Sequence, residues 1–156
     1  MLGRKPPNPI PVRFSERCLR AILWLLALDA AIGGAVLLVG GRAAYTWLFP
    51  HTPASEVTDL LLFKQKSWGG VGAALSIMLI AAAKDPRGKS IIVWAMAVGL
   101  AISGIAELTS IWFLDVARLF PVPIVLAHSL TRVGFALALF YLEKRLFIDQ
   151  RYTENA

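Results

Sequence analysis

LRAILWLLALDAAIGGAVLLV, residues 19–39, is the stretch that decides the fold of this chain. As an α-helix its 21 residues would be roughly 31 Å long, which matches a hydrocarbon core of about 30 Å. It is longer than the apolar core of a signal peptide, begins later, and is not followed by a small-residue cleavage site. The stretch therefore predicts a transmembrane helix.

Three further apolar blocks predict three more spans. The second covers residues 56–83, where Lys64 and Lys66 are expected to extend toward the lipid headgroups. It ends before Pro86, because the residue preceding a proline is pushed out of helical geometry. The third span covers residues 90–114 and the fourth covers 123–142. The short link between the second and third spans makes them antiparallel neighbours.

These blocks predict an all-α fold, an integral membrane four-helix bundle over residues 19–145. A proline-rich tail of residues 1–18 precedes it, and a tail of residues 146–156 follows. Of the 156 residues, 57% are hydrophobic, and they are grouped into blocks. A soluble domain would alternate them with polar residues at the period of a helix or strand.

The charge distribution predicts that both termini are cytoplasmic. The N-terminal segment, the loop of residues 84–89 and the C-terminal tail contain eleven lysines and arginines, against four on the opposite side. The net charge of +6 does not indicate nucleic-acid binding, because no basic stripe is interleaved with aromatic residues. The basic residues instead suit anionic lipid headgroups.

Small residues predict where the helices approach each other closely. In lipid, helix association depends on close backbone approach and polar contacts, since lipid tails are as apolar as leucine. The same residues would serve packing within one bundle or docking of another membrane subunit. The predicted packing residues are Gly33, Gly34, Gly69, Ala73, Ala95, Gly99, Ser103, Gly134 and Ala138.

Four ionisable residues lie inside the apolar blocks: Asp29, Glu107, His128 and Arg132. A central Asp or Arg costs about 2.5–3.5 kcal/mol on insertion scales, so each needs a partner. Asp29 and Arg132 lie near the midpoints of their spans, and the other two lie toward the outer face. We therefore expect Arg132 to pair with Glu107, Asp29 or both, with His128 beside them. Such a cluster would fix helix register or handle protons or a quinone.

His128 is also a candidate axial ligand for a chlorophyll or haem. One histidine suffices for a chlorophyll, whereas a bis-histidine haem needs a second at suitable depth, and His51 lies in a loop. The single cysteine, Cys18, excludes an internal disulfide. No phosphate-binding loop, nucleophile elbow or metal-ligand spacing is present, so the sequence predicts neither catalytic nor metal-binding residues.

Three segments carry a resemblance to a known family: KSWGGVGAA at residues 66–74, the turn at 81–87, and GIAELTS at 104–110. Together they resemble the small DoxX-like four-helix membrane proteins of bacteria. The resemblance implies a four-helix bundle, in some members associated with respiratory or quinone-linked complexes, and no dependable catalytic activity. It also implies an arginine near the position of Glu107 and an acid near Arg132. Here the two signs are exchanged.

The function we expect is that of a non-catalytic accessory subunit of a larger respiratory or photosynthetic complex. The expected location is the bacterial inner membrane, and the expected partners are the lipid bilayer and other membrane subunits. Two alternatives stay open: a small transporter or a redox protein that handles quinone or protons at the intramembrane cluster, and a pigment-binding subunit ligated by His128. Candidate ligands are a lipid, a quinone or a chlorophyll-type pigment, and the sequence is also compatible with a chain that binds no cofactor.

Overall fold

A computed structural model describes the backbone of residues 12–43, 57–114 and 121–154, and the side chains of residues 14–43, 57–114 and 121–146. These residues form four long helices: α1 Val12–Val39, α2 Asp59–Lys84, α3 Ser90–Phe113 and α4 Val122–Glu154. Each contains a segment long and apolar enough to cross a membrane: Phe14–Val39, Asp59–Lys84, Ser90–Phe113 and Val122–Leu146. The predicted all-α architecture with four such helices is confirmed.

The first and last helices extend beyond the predicted spans. α1 begins at Val12, before Leu19, and α4 continues to Glu154. The added residues 12–18 make about two turns and are mostly polar. They are compatible with a helix because Glu16 accepts a hydrogen bond from Arg20 one turn later, at 2.8 Å. Apolar content predicts which part of a helix can cross lipid. It does not predict where the helix itself begins and ends, because polar residues can also be helical. The proline-rich stretch of residues 6–11 and the loop containing His51 lie outside the described residues.

Polar contacts define the ends of α2. The Thr58 hydroxyl accepts a hydrogen bond from the Leu61 amide at 3.2 Å and caps the helix N-terminus. Arg42 forms an ion pair with Asp59 at 2.9 Å, which connects the end of α1 to the start of α2. At the other end, the Asp85 carboxylate accepts a hydrogen bond from the Gly88 amide at 2.9 Å and closes the turn into α3.

The four helices are arranged as two hairpins. α1 packs extensively against α2, and α3 packs extensively against α4. Contacts between the hairpins are fewer: α1 meets α4 over a smaller area, and α2 barely touches α3 despite the short turn between them. The bundle is therefore a pair of helical hairpins joined side by side.

The two hairpins repeat the same close contact. A Cβ atom on Gly34 would lie 2.8 Å from the Ala73 amide nitrogen and 3.0 Å from the Gly69 carbonyl oxygen. A Cβ atom on Gly104 would lie 3.0 Å from the Ser129 carbonyl oxygen and 2.9 Å from a methyl group of Val133. Each hairpin thus crosses at a glycine whose missing side chain lets the facing helix approach. Around these glycines the sequence recurs at equal spacing: Ile22, Trp24, Ala27, Ile32 and Gly34 correspond to Ile92, Trp94, Ala97, Ile102 and Gly104.

A buried apolar cluster joins the hairpins at one end of the bundle. It lies in the half that contains the start of α1 and the last turns of the apolar part of α4, and its buried members are Leu19, Leu23, Leu26, Ala27, Leu79, Ala82, Ala83, Val93, Ala97, Leu139 and Leu146. In the opposite half, the buried residues of the described helices are Gly34, Gly69, Gly104 and Ser129. These lie at the crossings inside the hairpins. The hairpins are therefore held together mainly at one end.

Candidate functional site

The candidate site forms where α3 crosses α4. Gly104 lies one helical turn before Glu107 on α3, and a Cβ at Gly104 would meet the Ser129 carbonyl oxygen and, at 3.4 Å, the Cβ of Arg132. The absent side chain thus brings the turn of α4 that carries Ser129 and Arg132 up to α3. Glu107 projects from the neighbouring turn and meets the same segment of α4.

The Glu107 carboxylate contacts three side chains of α4. Oε1 forms an ion pair with Nη1 of Arg132 at 2.5 Å. Oε2 lies 3.2 Å from the hydroxyl oxygen of Ser129 and 3.2 Å from Nδ1 of His128. Both carboxylate oxygens are therefore engaged, and the negative charge is matched by an arginine within the same hairpin.

The three α4 residues present different groups to Glu107. Ser129 has a single hydroxyl proton, and its oxygen also lies 2.8 Å from the Val125 carbonyl oxygen one turn earlier. His128 donates to the carboxylate when its proton is on Nδ1, which leaves Nε2 with an open lone pair. Among the described residues, none provides a hydrogen bond to Nε2.

The site lies at the edge of the hairpin crossing. Ser129 is fully buried. The side chains of Glu107 and Arg132 are 30% and 33% exposed, and that of His128 is 58% exposed. The Glu107–Arg132 ion pair therefore lies at the edge of the helix crossing, and the imidazole of His128 extends outward from the bundle.

Asp29 does not take part in this cluster. It is exposed on α1, and it makes no hydrogen bond or ion pair with any other described residue. Its neighbours on that side of the helix are the exposed apolar residues Leu25, Leu28 and Ile32. Of the four ionisable residues that the sequence analysis assigns to the intramembrane cluster, the structure therefore brings three together and leaves the fourth on an apolar surface.

The predicted packing residues divide into two groups. Gly34, Gly69 and Ala73 meet at the α1–α2 crossing. Ser103 is partly buried and hydrogen-bonds the Leu100 carbonyl oxygen at 3.1 Å, and Ala138 is partly buried.

The other predicted packing residues do not face a neighbouring helix in the described part of the chain. No atom lies within 4 Å of a Cβ built on Gly33, Gly99 or Gly134, and Ala95 is exposed. The buried face of α3 is instead formed by Val93, Ala97 and Gly104. The reason is geometric, because steps of four residues drift around a helix of 3.6 residues per turn. Glu107 reaches α4 beside Gly104, and not as a continuation of the Ala95–Gly99 stripe.

Sequence reasoning missed Gly104 and Ser129. A signal for Gly104 was present, because it occupies in the second hairpin the place that Gly34 occupies in the first, with tryptophan, alanine and isoleucine at matching spacings before it. Ser129 follows His128 directly, but nothing in its local sequence distinguishes it from an ordinary serine that bonds its own helix.

No group of three or more His, Cys, Asp or Glu side chains in the described segments is arranged to hold a metal ion. Cys18 is a free thiol, partly buried near the start of α1. No protein-family model, no curated protein and no solved structure matches this chain.

Proposed function

We propose that this chain is a non-catalytic integral membrane subunit of a larger membrane assembly, with both termini in the cytoplasm. The supporting observation is that the Glu107 carboxylate is fully occupied by contacts within its own hairpin. Its two oxygens are engaged by Arg132, Ser129 and His128 of the same hairpin, so the cluster acts as a structural lock. Within the described residues, the spans then retain no other set of converging polar groups for chemistry or transport.

The apolar surface of the bundle also supports this proposal. Only 17–28% of the residues in the apolar part of each helix are buried. Large side chains such as Trp68, Ile77 and Ile102 project outward, each more than 60% exposed. A surface of this kind requires lipid or the helices of other subunits.

The proposed orientation follows from charge. The end of the bundle that holds the apolar cluster carries Arg17, Arg20, Lys84, Arg87, Lys89, Lys144 and Arg145. Basic residues next to membrane spans are retained on the cytoplasmic side. Glu16 also joins α1 to the α2–α3 turn at this end, since it accepts hydrogen bonds from Arg20 of its own helix at 2.8 Å and from Arg87 of the turn at 2.9 Å.

The test is mild extraction from native membranes followed by native mass analysis. A subunit is expected to migrate in a complex of constant stoichiometry with other membrane proteins, and to leave that complex only under harsher detergent. Migration as a lone monomer or as a homo-oligomer would contradict the proposal and would favour the small transporter.

A second candidate, a pigment-bearing subunit, is favoured by the geometry of His128. Histidines that ligate metals usually donate their other ring proton to a carboxylate, which orients the ring. Nδ1 of His128 lies 3.2 Å from Glu107 Oε2, and the ring is more than half exposed, so Nε2 is available to a ligand outside the bundle. The ligand would be a metal tetrapyrrole, which needs a single axial nitrogen.

The absorption spectrum of the purified protein tests the second candidate. Visible bands that are lost in His128→Ala and kept in His51→Ala are the expected result for axial ligation, since both changes remove one imidazole. Absence of visible bands in protein purified from its native membrane would rule the pigment out.

A further inference from the structure

Asp29 is exposed at the centre of an apolar helix face. It is the midpoint of the stretch of residues 19–39, and it shares one side of α1 with Leu25, Ile32 and Gly33 through spacings of three, four and eight residues. Leu25 and Ile32 are 54% and 57% exposed. We call these four residues the Asp29 face.

Among the residues that the structure describes, a carboxylate in this position lacks a counter-charge inside the bundle. The one basic residue at comparable depth in the described helices is Arg132, and its guanidinium is held by Glu107 at 2.5 Å. Ionisable residues at mid-depth in a membrane pair with one another or face a protein interior. Asp29 does neither within the described chain.

Gly33 adds an independent observation. It lies one turn from Asp29, and no atom lies within 4 Å of a Cβ built at this position, although the corresponding space at Gly34 is filled by α2. A small residue beside a polar one is the arrangement that lets a second helix approach and hydrogen-bond in lipid. The open space beside Gly33 therefore faces the same direction in which Asp29 needs a partner.

We propose that the Asp29 face is the docking site for a transmembrane helix of a different protein, which carries an arginine or lysine near its midpoint. This inference rests on the proposed membrane-subunit function and names the chemistry of the partner. Charge complementarity selects the basic residue, because a cation pairs with the carboxylate where lipid cannot solvate it. A second copy of this chain is the weaker occupant, since its own mid-depth arginine is already paired with Glu107.

Designed peptides in lipid vesicles test the proposal. The full-length protein, labelled with a donor dye, is reconstituted with acceptor-labelled helices of leucine and alanine that carry Arg, Leu or Glu at the midpoint. Energy transfer is expected to show association with the Arg peptide about tenfold tighter than with the Leu peptide, as one interhelical polar contact provides. Asp29→Asn should lose this preference, and Asp29→Arg should transfer it to the Glu peptide.

Asp59→Asn is the matched control, because it makes the same chemical change at an acid outside the Asp29 face and should leave the preference intact. Equal association of the wild type with all three peptides would overturn the proposal. Association between two copies of the protein that Asp29→Asn abolishes would overturn it too, by assigning the face to a homodimer. Flotation of the vesicles distinguishes failure of the proposed function from failure of the docking proposal. Protein that does not float with the vesicles contradicts the membrane-subunit function. Protein that floats but shows no peptide preference contradicts only the docking role of the Asp29 face.

Discussion

At the scale of single residues, Glu107 makes three polar contacts across the α3–α4 crossing, to Arg132, His128 and Ser129. We expect Arg132→Leu to lower the free energy of unfolding by about 2–4 kcal/mol, because it leaves a partly buried carboxylate without its cation. The double variant Arg132→Leu with Glu107→Leu should recover much of this loss, since no charge remains. Unfolding in mixed detergent micelles measures both. Equal destabilisation of the single and double variants would show that the 2.5 Å ion pair does not stabilise the fold.

Asp29→Leu provides the contrast at this scale. It removes a carboxylate from the same depth, but one without a partner in the described chain. In the isolated protein it should leave stability unchanged or raise it slightly, measured under the same conditions. A loss of stability comparable to that of Arg132→Leu would mean that Asp29 has a partner inside the chain.

The sequence predicts part of this residue-level arrangement. Counting residues along each span gives the depth of a side chain, and it places Glu107 and His128 at one level in the outer half, with Arg132 one helical turn deeper. Depth does not give the rotation of a helix about its axis. Asp29 has a depth close to that of Arg132 and yet projects from a different side of the bundle, and hydropathy carries no information on that rotation when every side of a helix is apolar.

At the scale of helices, the crossing of α1 and α2 depends on Gly34. We expect Gly34→Ala to destabilise the protein by about 1–3 kcal/mol, because the new methyl group would lie 2.8 Å from the Ala73 backbone and would force the helices apart. Gly33→Ala is the matched control, with nothing within 4 Å of the added atom, and should be neutral or slightly stabilising. Thermal unfolding of the two variants measures the difference in their stability. Equal stability of Gly34→Ala and Gly33→Ala would show that α2 does not approach α1 closely at Gly34.

The second crossing makes a parallel prediction. Gly104→Ala should destabilise the protein and should also separate Glu107 from α4, because the added atom would lie 3.0 Å from the Ser129 carbonyl oxygen. Gly99→Ala, on the open side of the same helix, should do neither. A pair of spin labels on α3 and α4 measures the separation. An unchanged distance in Gly104→Ala would contradict the close approach.

Helix limits were predictable where composition changes sharply. α2 ends and α3 begins close to the predicted positions, because Pro86 and the charged turn interrupt the apolar run between them. The start of α1 was not predictable from composition. Polar residues such as Glu16 and Arg20 pair along the helix and extend it beyond the apolar part.

At the scale of the whole molecule, the proposed orientation can be tested by labelling single cysteines in a Cys18→Ser background. Lys64→Cys should react with a membrane-impermeant maleimide in intact cells, because it lies at the end opposite the termini. Lys89→Cys, in the turn between α2 and α3, should react only after permeabilisation. The reverse labelling pattern would show the opposite topology. Reaction of both introduced cysteines in intact cells would contradict a bundle that spans the membrane.

The pairing of the hairpins was the part of the architecture that the sequence did not predict. Four apolar blocks and a short second loop indicate an antiparallel bundle, but they do not say which neighbours pack tightly. The structure shows that α2 and α3 are adjacent in sequence and barely in contact, whereas each glycine crossing lies within a hairpin. Such differences come from the fit of individual side chains, which hydropathy averages away.

The weak contact between α2 and α3 has a consequence for biogenesis. Because the Gly34 crossing needs nothing from the second half of the chain, α1 and α2 can close in the membrane while the ribosome is still translating α3 and α4. Synthesis proceeds at about 5–20 residues per second, so the first half waits for the second for several seconds. If the chain inserts as proposed, the leucines of α1 and α2 that later join the buried cluster face lipid during that interval. The two completed hairpins then associate as preformed units.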